Sequence, residues 1–115
     1  MVILVAEQRI SFGSCRSKLA EALEKVLKAE LIRLGWTLER THDLQRLVKL
    51  LQQRGSDLMM IAGPLAVELT EAYFADRYPG FDMEDPDWPA LTKQIEFVRR
   101  LLTLVRGRLT PQGQS

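Results

Sequence analysis

The stretch from Arg16 to Leu34 constrains the fold more than any other part of the chain. Leu19, Leu23, Val26, Leu27, Leu31 and Leu34 recur at three- and four-residue steps, which places them on one stripe of a helix. Lys18, Glu21, Lys25 and Lys28 lie mostly off that stripe. A strand turns its side chains over with a period of two, so it cannot carry this pattern. Ser14 or Ser17 is placed to cap the start, and Gly35 is placed as the first residue past the end.

A second long helix follows from Leu91, Ile95, Val98, Leu102 and Val105. Asp87 is its expected cap, Pro89 suits its first turn, and Gly107 is expected to close it. Between the two, Thr41 reads as an N-cap with Asp43 in the first turn, and Leu44, Leu47, Val48 and Leu51 form the buried face. Arg54-Gly55 ends that helix. Ser56 or Asp57 caps a further segment, which Gly63-Pro64 interrupts or restarts and which Leu65, Leu69, Ala72 and Tyr73 carry to about Asp76. Val2 to about Arg9 is a short apolar segment, strand or helical stub, broken by Ser11-Phe12-Gly13-Ser14. The expected fold is all-α, an antiparallel up-and-down bundle of about four or five helices. It spans 1–109 as a single domain, with a polar tail over 110–115.

The bulk numbers agree with a folded globule. The chain has 115 residues, 46% hydrophobic and 27% charged, enough for one core without metal or disulfide support. A net charge of +1 gives no global field to attract nucleic acid or an anionic membrane, so such binding needs a local patch. Cys15 is the single cysteine, which excludes an internal disulfide and fits a reducing compartment. No apolar run approaches the roughly 20 residues of a membrane span. The opening Met1-Val2-Ile3-Leu4-Val5-Ala6 lacks the form of a secretory signal. A cytoplasmic, unprocessed protein without membrane contact is expected.

Candidate chemistry is sparse. His42 is the only histidine, so zinc ligation lacks a ligand set, and no nucleophile elbow accompanies it. Its ordinary role would be in a capping turn or on the surface. Asp82, Glu84, Asp85 and Asp87 lack the glycine and terminal glutamate of a calcium loop, and read as a solvated loop before the last helix. Arg99, Arg100, Arg106 and Arg108 complement the dipole of that helix, with an RNA or phosphate contact as the sharper alternative. No glycine-rich phosphate loop is present. Neither a metal nor a cofactor is expected. Asp76-Arg77-Tyr78-Pro79 is the most unusual polar cluster, and Tyr73 and Arg77 share a helix face four residues apart.

Three segments in order carry a resemblance: the long helix from Cys15 to Gly35, Thr41-His42-Asp43-Leu44 opening the next helix, and Ala75-Asp76-Arg77-Tyr78-Pro79 before a loop and a last long helix. From about Cys15 to Arg108 the chain resembles the HEPN domain family of prokaryotic proteins. The resemblance implies an antiparallel helical bundle that homodimerises and a minimal nucleotidyltransferase as partner, in pairs that look like toxin–antitoxin modules. In these the HEPN member is an RNA-cleaving toxin or a nucleotide-binding subunit. RNA-cleaving branches carry an arginine, about four to six residues, then a histidine. Here Arg33 stands nine positions before His42 and Arg40 two before it, and neither matches. The family's full first helix has only about a dozen residues before Ser14 to form from, so a shortened or differently folded start is expected.

The leading expectation is therefore a non-catalytic subunit that dimerises, partners a minimal nucleotidyltransferase and binds a nucleotide. Its nucleotide- or partner-binding residues are Arg40, His42, Asp43, Asp76, Arg77 and Tyr78. The first alternative is a ribonuclease toxin, with His42 as acid or base and an arginine stabilising the phosphorane. That arginine would be Arg40, Arg77 or one from a dimer mate. The second is a structural or interaction domain with no ligand.

Overall fold

The computed structural model describes residues 2–37, 39–77 and 87–109, with side chains described over 12–37, 39–71 and 87–109. Four helices make up these residues: α1 Val2–Arg33, α2 Leu44–Gln53, α3 Met59–Arg77 and α4 Trp88–Leu109. The all-helical bundle expected from periodicity is the architecture found. The tail over 110–115 and the segment 78–86, including Asp82, Glu84 and Asp85, lie outside the described residues.

Contacts at the helix ends set the topology. Phe12 of α1 meets Trp88 at the start of α4 with ring centroids 5.1 Å apart. Near the other ends of the same helices, Glu30 meets Arg108 at 2.6 Å. The two helices therefore run side by side in one direction. His42, just before α2, reaches Glu24, and Arg54, just after it, donates to the Leu34 carbonyl at 3.1 Å. The connection from Leu34 to Asp43 thus doubles back along α1, and α2 runs in the same direction as α1. α3 returns the opposite way, and its Glu68 accepts a hydrogen bond from Gln94 of α4 at 3.1 Å. Successive helices α2, α3 and α4 alternate in direction, with α1 lying along them.

The first helix is the longest, at 32 residues, or about 48 Å. This corrects three expectations at the N-terminus. Val2 to Arg9 is neither a strand nor a detached stub, Ser11–Ser14 does not break the chain, and Ser14 and Ser17 lie inside a helix instead of capping it. Packing supplies the reason. Phe12 is buried, its ring edge-on to Trp88 and covered by the Arg16 guanidinium at 4.5 Å. Those contacts exceed the roughly 1 kcal/mol that Gly13 costs inside a helix.

α1 and α2 end alike. Gly35 takes φ +91° and Gly55 φ +73°, the left-handed region that favours glycine. After α1, the Gly35 and Trp36 amides donate to Ile32 and Leu31; after α2, the Gly55 and Ser56 amides donate to Gln52 and Leu51. Both ends are Schellman closures. At the start of α2 the cap is Asp43, not Thr41. The Asp43 carboxylate accepts from the Gln45 amide at 3.0 Å and the Arg46 amide at 3.3 Å, while the Thr41 hydroxyl accepts from the Asp43 amide. The shift follows from geometry, since a carboxylate at that position satisfies two of the helix's free donors.

α3 is continuous through Gly63-Pro64. Proline there removes a hydrogen bond to Met60, but Leu58, Ala62, Leu65, Ala66 and Leu69 are buried around it and hold the turn. Asp87 caps α4 as expected, accepting from the Ala90 amide at 3.0 Å. α4 continues past Gly107 to Leu109 because Arg108 is tied into the bundle. Its buried stripe is Leu91, Val98, Leu101 and Val105, with Ile95 packed at its margin; Leu102 turns partly outward.

The core joins Leu23, Leu27 and Leu31 of α1 to leucines 47 and 51 of α2, all fully buried, with Leu65 and Leu69 of α3 and Leu91 and Leu101 of α4 closing over them. Each buried leucine contributes about 1.5–3 kcal/mol against exposure. No described helix is long and apolar enough to cross a membrane.

Candidate functional site

His42 sits in the connection that leads into α2, with its side chain 85% exposed. Its Nδ1 lies 3.0 and 3.1 Å from the two carboxylate oxygens of Glu24 on α1. The same carboxylate accepts from Lys28 Nζ at 3.1 Å. Glu24 is thus shared between an imidazole and an ammonium, and it fixes which way the imidazole faces. Asp43, beside His42, has its carboxylate committed to capping α2. Arg40 is exposed two residues before His42.

The remaining expected site residues lie elsewhere in the bundle. Asp76 and Arg77 occupy the last turn of α3, with side chains outside the described residues, and Tyr78 lies wholly outside them. α3 begins near Glu30, where Ser56 donates to that carboxylate at 2.9 Å, and Asp76 lies about 25 Å further along its helix. His42 lies beside Glu24, only about 9 Å from Glu30 along α1. The backbone therefore groups Arg40, His42 and Asp43 at one level and Asp76 and Arg77 at another. Tyr73 shares a helix with Arg77, but its side chain is also outside the described residues.

A second polar cluster lies below the first. Glu30 is fully buried, and three donors reach it: Arg33 Nε at 2.6 Å, Ser56 Oγ at 2.9 Å and Arg108 Nη1 at 2.6 Å. Arg108 turns its other nitrogen to Asp57 at 2.8 and 3.0 Å. Ser56 also accepts from the Leu58 amide, which starts the turn into α3. Burial pushes the Glu30 carboxyl up, but hydrogen bonds from Arg33 and Ser56 and the charges of Arg33 and Arg108 outweigh it, so its pKa is lowered. The Arg108 hydrogen bond lowers Asp57 in turn. Two carboxylates and two guanidiniums balance in charge, and no buried side-chain nitrogen or oxygen among the described residues lacks a partner.

Sequence reasoning missed this cluster and read Arg108 as a dipole-complementing cation. One signal was present: Glu30 falls on the apolar stripe, three residues after Leu27 and four after Val26. A carboxylate there is buried, and a buried charge requires partners.

The arginines that flank His42 in sequence are engaged, apart from Arg40. Arg33 is held by Glu30, Arg46 by Glu39 at 2.7 Å, and Arg54 by the Leu34 carbonyl. No group of three or more histidine, cysteine or acidic side chains among the described residues is arranged to hold a metal ion. The arrangement at His42 can donate or accept hydrogen bonds from an oriented imidazole, and no contact among the described residues brings a guanidinium to it to receive developing negative charge.

Compared with known proteins, residues 12–108 match the model of the HEPN domain. No curated protein matches the chain. No solved structure matches it either.

Proposed function

The chain belongs to the HEPN domain family, and from that premise we propose that it is a non-catalytic HEPN subunit. It forms a homodimer, partners a minimal nucleotidyltransferase in a toxin–antitoxin-like module, and binds a nucleotide beside Arg40, His42 and Asp43. Asp76 and Arg77, at the far end of α3, serve the partner together with Tyr78.

One observation carries this reading: His42 faces the Glu24 carboxylate instead of a guanidinium. RNA cleavage through a phosphorane needs a cation close to the general acid–base. Arg33, the nearest upstream arginine apart from Arg40, is bound to Glu30. An oriented imidazole with an exposed arginine two residues away suits recognition of a phosphate or base edge better than turnover.

Expression in a bacterial host tests the reading. A harmless wild-type chain that leaves cellular RNA intact is the expected outcome. Toxicity relieved by His42→Ala would overturn the reading, and loss of cellular RNA that the same substitution prevents would favour the ribonuclease alternative. Mass measurement at high micromolar concentration is expected to give a dimer, and a strict monomer would count against it. Calorimetric titration with ATP and GTP tests the nucleotide, and absence of heat with both removes it. Co-purification with a nucleotidyltransferase encoded next to the gene tests the partner; failure to co-purify would leave the interaction-domain alternative in its place.

A further inference from the structure

The flank of α1 opposite His42 carries a different surface. Glu24 turns towards α2 through His42. Lys18, Ala22, Lys25, Ala29 and Ile32 lie on the other side, at steps of three and four residues. α4 has a matching arrangement. Gln94 turns towards α3 through Glu68, while Ile95, Arg99, Leu102, Arg106 and Leu109 fall on the opposite flank. Because α1 and α4 run side by side, pinned by Phe12–Trp88 and Glu30–Arg108, these two flanks border one outer seam.

The seam is apolar along its floor and basic along its rims. Ala22, Ala29 and Ile95 are partly buried against the core, Leu102 is 36% exposed, and Ile32 is 52% exposed. Lys18, Lys25, Arg99 and Arg106 are exposed on either side. Neither stripe contains a carboxylate. No ion pair among the described residues engages Lys18, Lys25 or Arg99. From Lys18 to Ile32 the seam is about 21 Å long, roughly four turns of helix.

We propose that this outer seam between α1 and α4 is a docking groove for an acidic amphipathic helix of a protein partner. Small residues on the floor let a third helix approach closely, as ridge-and-groove packing requires. The exposed leucine and isoleucine receive its apolar stripe, and the basic rims pair with carboxylates flanking that stripe. Single-stranded RNA fits less well, because phosphate contacts would leave the apolar floor in water and no run of aromatic platforms lines it. The groove lies on the far flank of α1 from His42, so it stands apart from the nucleotide reading.

The test uses the full chain and a fluorescein-labelled synthetic helical peptide of about four turns, with leucines along one stripe and glutamates flanking it. A peptide with glutamine in place of glutamate and a labelled single-stranded RNA are run beside it. Saturable micromolar binding of the glutamate peptide is expected, weakening as salt rises. The double variant Lys25→Glu, Arg99→Glu is expected to raise its Kd at least about tenfold. Lys49→Glu, which reverses an exposed lysine on α2 away from the seam, is expected to bind as wild type. The reversed residues are exposed, and an unchanged circular dichroism spectrum verifies folding. Absence of saturable peptide binding, equal binding of the glutamine peptide, or wild-type affinity in the reversed variant would each overturn the proposal. RNA binding in place of peptide binding, lost in the same variant, would overturn it in favour of a nucleic-acid surface.

Discussion

Arg108 Nη1 lies 2.6 Å from Oε2 of Glu30, a residue 78 positions earlier in the chain. This one contact ties the last turn of α4 to the buried side of α1, and through Asp57 to the turn that opens α3. It closes the bundle at the end where Phe12 and Trp88 do not reach.

Replacing Glu30 by glutamine keeps the shape and removes the charge that Arg33 and Arg108 were placed to meet. Breaking a buried pair costs about 3–5 kcal/mol. The two guanidiniums keep 32% and 27% of their exposure and can partly rehydrate, so a loss nearer 2–3 kcal/mol is expected. Urea denaturation measures it, and a loss under about 0.5 kcal/mol, the scale of an ordinary surface substitution, would show the cluster to be marginal.

The same carboxylate sets an acid limit. The Glu30 pKa is lowered in the folded state from an ordinary value of 4.5. A depressed carboxyl contributes stability above its unfolded pKa, and that contribution is lost as pH falls through the folded one. Asp57 is lowered in the same sense from 3.8. Stability is therefore expected to hold from neutral pH to about 4.5 and to fall below it. Thermal melts across pH 7 to 3 follow it, and Glu30→Gln is expected to flatten the acid part of the curve.

Asp43 distinguishes a cap from a ligand. Asp43→Ala leaves the Gln45 and Arg46 amides without their acceptor and is expected to cost about 1 kcal/mol. Asp43→Asn retains capping and is expected to be nearly neutral in stability. If Asn also preserves nucleotide binding, the carboxylate charge serves the helix alone. His42→Ala, at an exposed side chain, is expected to change stability by less than about 0.5 kcal/mol.

Two glycines are expected to respond in opposite senses. Gly107 lies inside α4 with open space where a Cβ would stand, so Gly107→Ala is expected to stabilise by about 0.5–1 kcal/mol. Gly35 has equal space but φ +91°, so Gly35→Ala is expected to destabilise by about 1 kcal/mol. Paired denaturation curves decide both.

Local signals settled a good deal on their own. The stripes from Leu19 to Leu31 and from Leu91 to Val105 bury one face of a helix whatever they pack against, so fold class and most of the core followed from periodicity. Gly35 and Asp87 acted as end signals because their roles depend on neighbours within a few residues. What depended on distant residues could be read only from the tertiary structure. α1 continues through Gly13 because Phe12 packs on Trp88, 76 positions away, and α4 passes Gly107 because Arg108 finds Glu30 and Asp57. His42 pairs with Glu24 and not with an arginine because the connection after α1 doubles back along it. Helical period measures how a residue faces its own axis. Which charge meets which is decided by the directions the helices take.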